Sequence, residues 1–193
     1  MDLSLVIRNV MTTEAREVES GLSVMGEDEF RAFYERTARP LWSYLSRITG
    51  DPHEADDVLQ EAYYRFFRAG ARHESEAHRR NSLFQIATNL VRDAARRAKH
   101  HVDVPLEDES TSAALPRSTA PVPEQQATIR TDLARGLKQL EPVQREMLWL
   151  AYAQGASHEE IAEILGLRAV SIRTLLLRAR RKLAGILTSG ASQ

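Results

Sequence analysis

A chain of 193 residues, 42% hydrophobic and 27% charged, has room for one ordinary domain or two small ones. It has no cysteine, which excludes disulfides, thiolate metal sites and cysteine nucleophiles, and no apolar run approaches the ~20 residues that a membrane span needs. Its net charge of −1 hides a partition: Arg168 to Lys182 holds six cations and no acid, Arg92 to Lys99 holds four cations against one acid, and residues 103–124 hold five acids against one arginine.

Strand signals are nearly absent and a 3.6-residue period recurs, so the expected fold is all-α. Residues 1–26 are weakly periodic and read as a loosely ordered extension, without the basic start and long apolar stretch of a signal peptide. From Glu27 a helical stripe runs through Phe30, Phe33, Tyr34, Thr37, Leu41, Leu45 and Ile48, with a kink or break expected at Pro40. Gly50 ends that segment. Asp51 can cap the next helix, with Pro52 at its first position and Glu54 in a capping-box-like place. Ala55, Val58, Leu59, Ala62, Tyr63 and Phe66 form its apolar stripe, and Asp57, Gln60, Glu61, Tyr64 and Arg68 the opposite face.

Residues 70–80, GARHESEAHRR, read as a polar loop, followed by a helix from about Arg80 to His100. That helix is expected to bury Leu83, Ala87, Leu90, Val91, Ala94 and Ala98, with Phe84 at the core edge. Gln85, Asn89, Arg92, Arg96 and Lys99 share its other side. Residues 102–124, with four prolines among Ser, Thr, Ala and acids, read as a flexible linker between two small helical domains, 27–101 and 125–187, and 188–193 form a tail.

In the second domain Ile129, Leu133, Leu137 and Leu140 form one stripe. Pro142 opens a helix with Val143, Met147, Leu150 and Ala151 inward. Ser157 and Glu160 make a capping box for a short helix carrying Ile161, Ala162, Ile164 and Leu165, and Gly166 suits a left-handed turn. A basic helix follows at once, which makes a helix-turn-helix. Stepping ~100° per residue from Ile172 puts Leu175, Leu176, Ala179 and Leu183 toward the core and leaves Arg173, Thr174, Leu177 and Arg181 outward.

Three stretches resemble the bacterial sigma-70 family of RNA polymerase sigma factors, in its extracytoplasmic-function type. ADDVLQEAYYRFFRA (55–69) looks like the family's core-polymerase-binding helix. SLFQIATNLVRDAARRAKH (82–100) looks like its −10-reading helix, and LEPVQREMLWLAYAQGASHEEIAEILGLRAVSIRTLLLRARRKL (140–183) like its −35-reading helix-turn-helix. The resemblance implies that Asp56, Asp57, Gln60, Glu61 and Tyr64 bind core polymerase. It implies −10 contacts from Gln85, Asn89, Arg92, Asp93, Arg96, Arg97 and Lys99, with Arg72, Arg79 and Arg80 in a base-capturing loop. It implies −35 contacts from Arg168, Ser171, Arg173, Thr174, Arg178, Arg180 and Arg181; the outward Leu177 joins that −35 set either as a contact to a thymine methyl or as part of an apolar patch that an inhibitory partner covers. Two positions depart from the family pattern: Ser82 stands where a tryptophan is common, and Leu175 where an arginine is common. The implied partners are core RNA polymerase, promoter DNA and an anti-sigma factor, in the cytoplasm and with no membrane insertion.

Nothing in the residues calls for catalysis or a cofactor. His53-Glu54 has Asp57, not histidine, four residues after His53, and the nine glycines form no phosphate-binding cluster. The rival reading is a dimeric helix-turn-helix regulator that binds duplex DNA without the polymerase. It gives no role to an outward Asp57-x-x-Gln60-Glu61 beside a second basic helix.

Overall fold

The computed structural model describes residues 26–70, 73–101 and 124–190. These residues form seven α-helices and no strand, and the chain divides into two compact units, Met1–Pro105 and Leu106–Gln193. The expected extension lies outside the described residues but for Gly26, and the expected linker but for Glu124.

The first unit is a three-helix bundle of α1 (Glu27–Thr49), α2 (Pro52–Arg68) and α3 (Glu76–His101), each packed on the other two. Its core is a ring cluster. Phe30 lies edge-on to Tyr63 and Phe67, Phe33 stacks on Phe66, and Tyr44 lies beside Phe84. Two buried hydroxyl pairs cross between helices: Thr37 with Tyr63 at 2.6 Å and Tyr44 with Thr88 at 2.9 Å. Each threonine also donates to its own helix, to the carbonyls of Phe33 and Phe84. Burial pushes the Tyr63 phenol well above its usual range, so the hydroxyl stays protonated as a bonding group.

Several sequence expectations need correction here. Of the kink or break expected at Pro40, the break does not occur: the helix is continuous from Glu27 to Thr49, because Phe33 and Thr37 on one side and Leu41, Tyr44 and Leu45 on the other are all buried, so packing carries it across the proline. The loop before α3 is shorter than 70–80. Ser75 accepts from the His78 amide through its hydroxyl at 3.1 Å and from the Arg79 amide through its carbonyl, so the helix starts at Glu76. Phe84 is fully buried rather than at the core edge. Val58 on α2 is half-buried, and along α3 Val91 and Ala94 are half-buried and Ala98 is exposed, since the far end of that helix outruns the helices that cover it. Asp51 does cap α2, accepting from the His53 amide at 2.8 Å.

The second unit comprises α4 (Glu124–Lys138), α5 (Pro142–Tyr152), α6 (His158–Leu165) and α7 (Ala169–Gly190), with α7 packed on the other three. Its core is Leu140, Met147, Leu148, Leu150, Ile161, Ile164, Leu165, Ile172, Leu176 and Ala179. Gly136 lets α4 approach α7, since a Cβ there would stand 3.0 Å from Leu187 and 3.1 Å from Leu183. Arg145 closes the α4–α5 turn by donating to the carbonyls of Leu137, Lys138 and Leu140. Val143, expected inward, is exposed. It stands on the first turn of α5, where no neighbouring helix covers it, while Met147 one turn on is buried. Leu133 is also exposed, and Leu137 and Ala151 are half-buried. The last helix runs to Gly190, beyond the expected boundary at 187.

Candidate functional site

Three surfaces carry the candidate residues, two on the first unit and one on the second. On α2, burial of Ala55, Leu59, Ala62, Tyr63 and Phe66 turns Asp57 and Gln60 outward. Both are exposed, and neither bonds to another described residue. Glu61 and Tyr64 border them, half-buried and already engaged: Glu61 accepts from Arg65 at 2.6 Å, and the Tyr64 hydroxyl from Arg68 at 3.3 Å.

Asp56 parts from this group. It is half-buried and accepts from the Trp42 indole N–H at 2.8 Å. It thereby lines an open groove of about 380 Å³ with Tyr34, Ala38, Arg39, Trp42 and Leu59. Burial, and then the Asp56 charge, hold the Tyr34 phenol above its usual range. The apolar stripe of α1 does not include Trp42; its one sequence signal is a polar-edged ring one helix turn from Ala38 and Leu45.

On α3, Asn89, Arg96 and Arg97 are exposed, while Gln85, Arg92 and Asp93 are half-buried. Asp93 gathers its neighbours, its carboxylate pairing with Arg96 and its carbonyl accepting from Arg97 at 3.4 Å. Arg79 and Arg80, expected in a loop, are helical, and Arg79 ties α3 to α1. Arg79 pairs with Glu29 at 2.6 Å and lies 5.9 Å from the Phe33 ring centre, and Arg80 lies 4.8 Å from that of Phe84. A second bridge, Arg36 to Glu76 at 2.7 Å, ties the same helices. Arg72 and the Lys99 side chain lie outside the described residues.

On the second unit, the short α6 is fixed at both ends. The Ser157 hydroxyl accepts from the Glu160 amide, and the Glu160 carboxylate from the Ser157 amide at 2.7 Å. At the other end Gly166 takes φ +66°. The Leu167 amide reaches back to the Ala162 carbonyl and the Gly166 amide to that of Glu163, a Schellman turn that aims the chain into α7. There Ile172, Leu176 and Ala179 face the core, and Arg173, Thr174, Leu177, Arg178, Arg180 and Arg181 face away. Arg168 is exposed just ahead of the helix and Ser171 is half-buried.

Within the leucine trio only Leu176 is fully in the core, because it lies nearest the line of Ile172 and Ala179. Leu175, expected to be core, is half-buried at the margin, as is Leu183. None of Arg168, Arg173, Arg178, Arg180 and Arg181 pairs with a described acid. Among the described residues no cluster of His, Asp or Glu could hold a metal, and no helix is long and apolar enough to cross a membrane.

The chain matches the family model for Sigma-70 region 2 over residues 33–101 and that for Sigma-70, region 4 over 130–183. It is 32% identical over 161 residues to the RNA polymerase sigma factor CarQ of Myxococcus xanthus, covering 83% of this chain and 90% of that one. It is 30% identical over 165 residues to the ECF RNA polymerase sigma factor SigL of Mycobacterium tuberculosis, covering 85% and 92%. Among solved structures it resembles the sigma factor RpoE of Bartonella quintana, crystallised with the anti-sigma factor NepR. The TM-score is 0.61 at 21% identity, over 82% of this chain and 96% of that one. CnrH, in complex with the cytosolic domain of CnrY, gives a TM-score of 0.58 at 21% identity, over 95% and 98%.

Proposed function

The chain belongs to the sigma-70 family of RNA polymerase sigma factors, in its extracytoplasmic-function group, and from that premise we propose how its surfaces divide the work. As a sigma factor it binds core polymerase and directs promoter-specific initiation. The outer edge of α2 docks on a basic surface of the polymerase, with Asp57 and Gln60 central, Glu61 and Tyr64 beside them, and Asp56 acting mainly through Trp42. The exposed side of α3 takes the −10 element. Asn89 is the base-reading or strand-steadying amide there, and Arg92, Arg96, Arg97 and Lys99 neutralise phosphate, with Gln85 and Asp93 shaping the surface. Arg79 braces that helix against α1, and Arg80 lies along its own turn over Phe84. On α7, Arg173, Arg178, Arg180 and Arg181, with Arg168, Ser171 and Thr174, grip the −35 duplex.

This reading assigns no catalytic residue and no cofactor. It takes 27–101 and 125–187 as the two working domains and 102–124 as the tether between their promoter sites. It also places the protein in the cytoplasm, where polymerase and promoters are. The Bartonella quintana relative was crystallised with an anti-sigma factor, and a protein inhibitor of that class is the further partner we propose.

The observation that carries the reading is the pairing, in one chain, of bare Asp57 and Gln60 on one unit with bare arginines on the helix-turn-helix of the other. Reconstituted transcription tests it. Purified core polymerase plus this chain should initiate at defined promoters. Asp57→Ala with Gln60→Ala should weaken core binding at least about tenfold while the full chain's DNA binding is kept. A chain that footprints duplex DNA alone and adds nothing to core polymerase would instead be a free-standing regulator.

A further inference from the structure

The outward side of α7 carries more than arginines. Val170 is 80% exposed and Leu177 42%. At ~100° per residue, Val170, Thr174 and Leu177 fall within roughly 60° of arc, directly opposite Ile172, Leu176 and Ala179. Arg173 and Arg180 border this strip on one side and Arg178 on the other, and Arg181 continues it toward the C-terminus; all four are exposed. The result is a narrow apolar line between two cationic rims.

The two rims select the occupant. An apolar protein or lipid surface covering the strip would have to desolvate the flanking guanidinium groups without partners. A DNA major groove meets them with phosphates on both walls and offers one apolar group on its floor, the C5-methyl of thymine. Val170 and Leu177 stand about 10 Å apart along the helix axis, close to the rise of three base-pair steps.

We propose that Val170, Thr174 and Leu177 select the −35 element by contact with thymine methyl groups, while the bordering arginines hold the backbone. This rests on the sigma reading for the approach of α7 to DNA and adds the base chemistry that it reads.

Removing only the methyl tests it. Holoenzyme built from core polymerase and the full chain would select −35 sequences from a randomised promoter pool. Each thymine of the selected duplex would then be replaced by deoxyuridine, which pairs identically. The wild-type holoenzyme should bind about three- to tenfold more weakly at one or more of these positions. Val170→Ser and Leu177→Ser holoenzymes, altered at exposed positions that leave the core intact, should lose that sensitivity. Thymine-to-deoxyuridine changes of less than about twofold at every position, or the same sensitivity in the serine variants, would overturn the proposal and leave the strip to a protein partner. A holoenzyme that enriches no sequence at all would overturn the sigma reading together with it.

Discussion

Two neighbouring aspartates show how one residue step divides two jobs. Asp56 and Asp57 differ by ~100° around α2, which sends the first to the Trp42 indole and the second to solvent. The Trp42–Asp56 bond is partly buried and charge-assisted, so losing its donor costs stability. Trp42→Phe keeps most of the ring and removes the N–H. It should lower the unfolding free energy of the first unit by about 1 kcal/mol in urea titration. Asp57→Ala, at an exposed site without a partner, should change it by less than about 0.5 kcal/mol. Equal losses in the two variants would show that Asp57 also has a structural role. Helical phase puts Asp57 on the outer face, but that Asp56 is claimed by an indole is decided by the position of α1, which the sequence of α2 does not show.

At the scale of the element, the short α6 depends on its ends more than on its length. Eight residues are too few to hold a helix by propensity, so the capping box and the Schellman turn at Gly166 set where the recognition helix begins. Ser157→Ala removes an acceptor for the Glu160 amide and should cost about 1 kcal/mol, whereas Ser157→Asp keeps an acceptor and should recover most of it. Thermal unfolding of the second unit would register the alanine variant as a fall in Tm of about 4–8 °C.

These caps were legible in the sequence because capping residues act locally. So were the seven helical segments, through their apolar period. The misreadings share a cause, which is that each was decided by a neighbouring helix. The helix is kept unbroken at Pro40 by burial on both sides, and Phe84 is covered by Tyr44. Val143 is left bare at the first turn of α5, and Leu175 lies at the edge of the α7 contact. The early start of α3 at Glu76 is different in kind. Ser75 was a readable cap, obscured by the charged and histidine-rich run around it.

For the whole molecule, the formal charge of −1 is a poor guide to what the protein binds. Affinity for a polyanion follows the cations that can reach phosphates, and the acids of residues 103–124 lie on a different stretch of chain. Promoter binding by the holoenzyme should therefore weaken steeply with salt, its logarithm falling in proportion to that of the salt concentration. Arg173→Ala should flatten that slope by about one unit and lower affinity nearly equally across −35 sequences. A loss confined to particular sequences would mean that this arginine reads a base.

The two buried hydroxyl pairs of the first unit have a consequence best put as leverage. Aromatic rings and leucines resist separation of helices far more than rotation about their own axes. A side-chain tip on α2 stands ~5–6 Å from the helix axis, so a turn of about 20° would swing it by about 2 Å, enough to spoil a hydrogen bond. Thr37 with Tyr63 fixes the angle of α2 against α1, and Tyr44 with Thr88 that of α3 against α1. Two hydroxyl contacts inside the bundle thus set the aim of Asp57 and Asn89 at its surface.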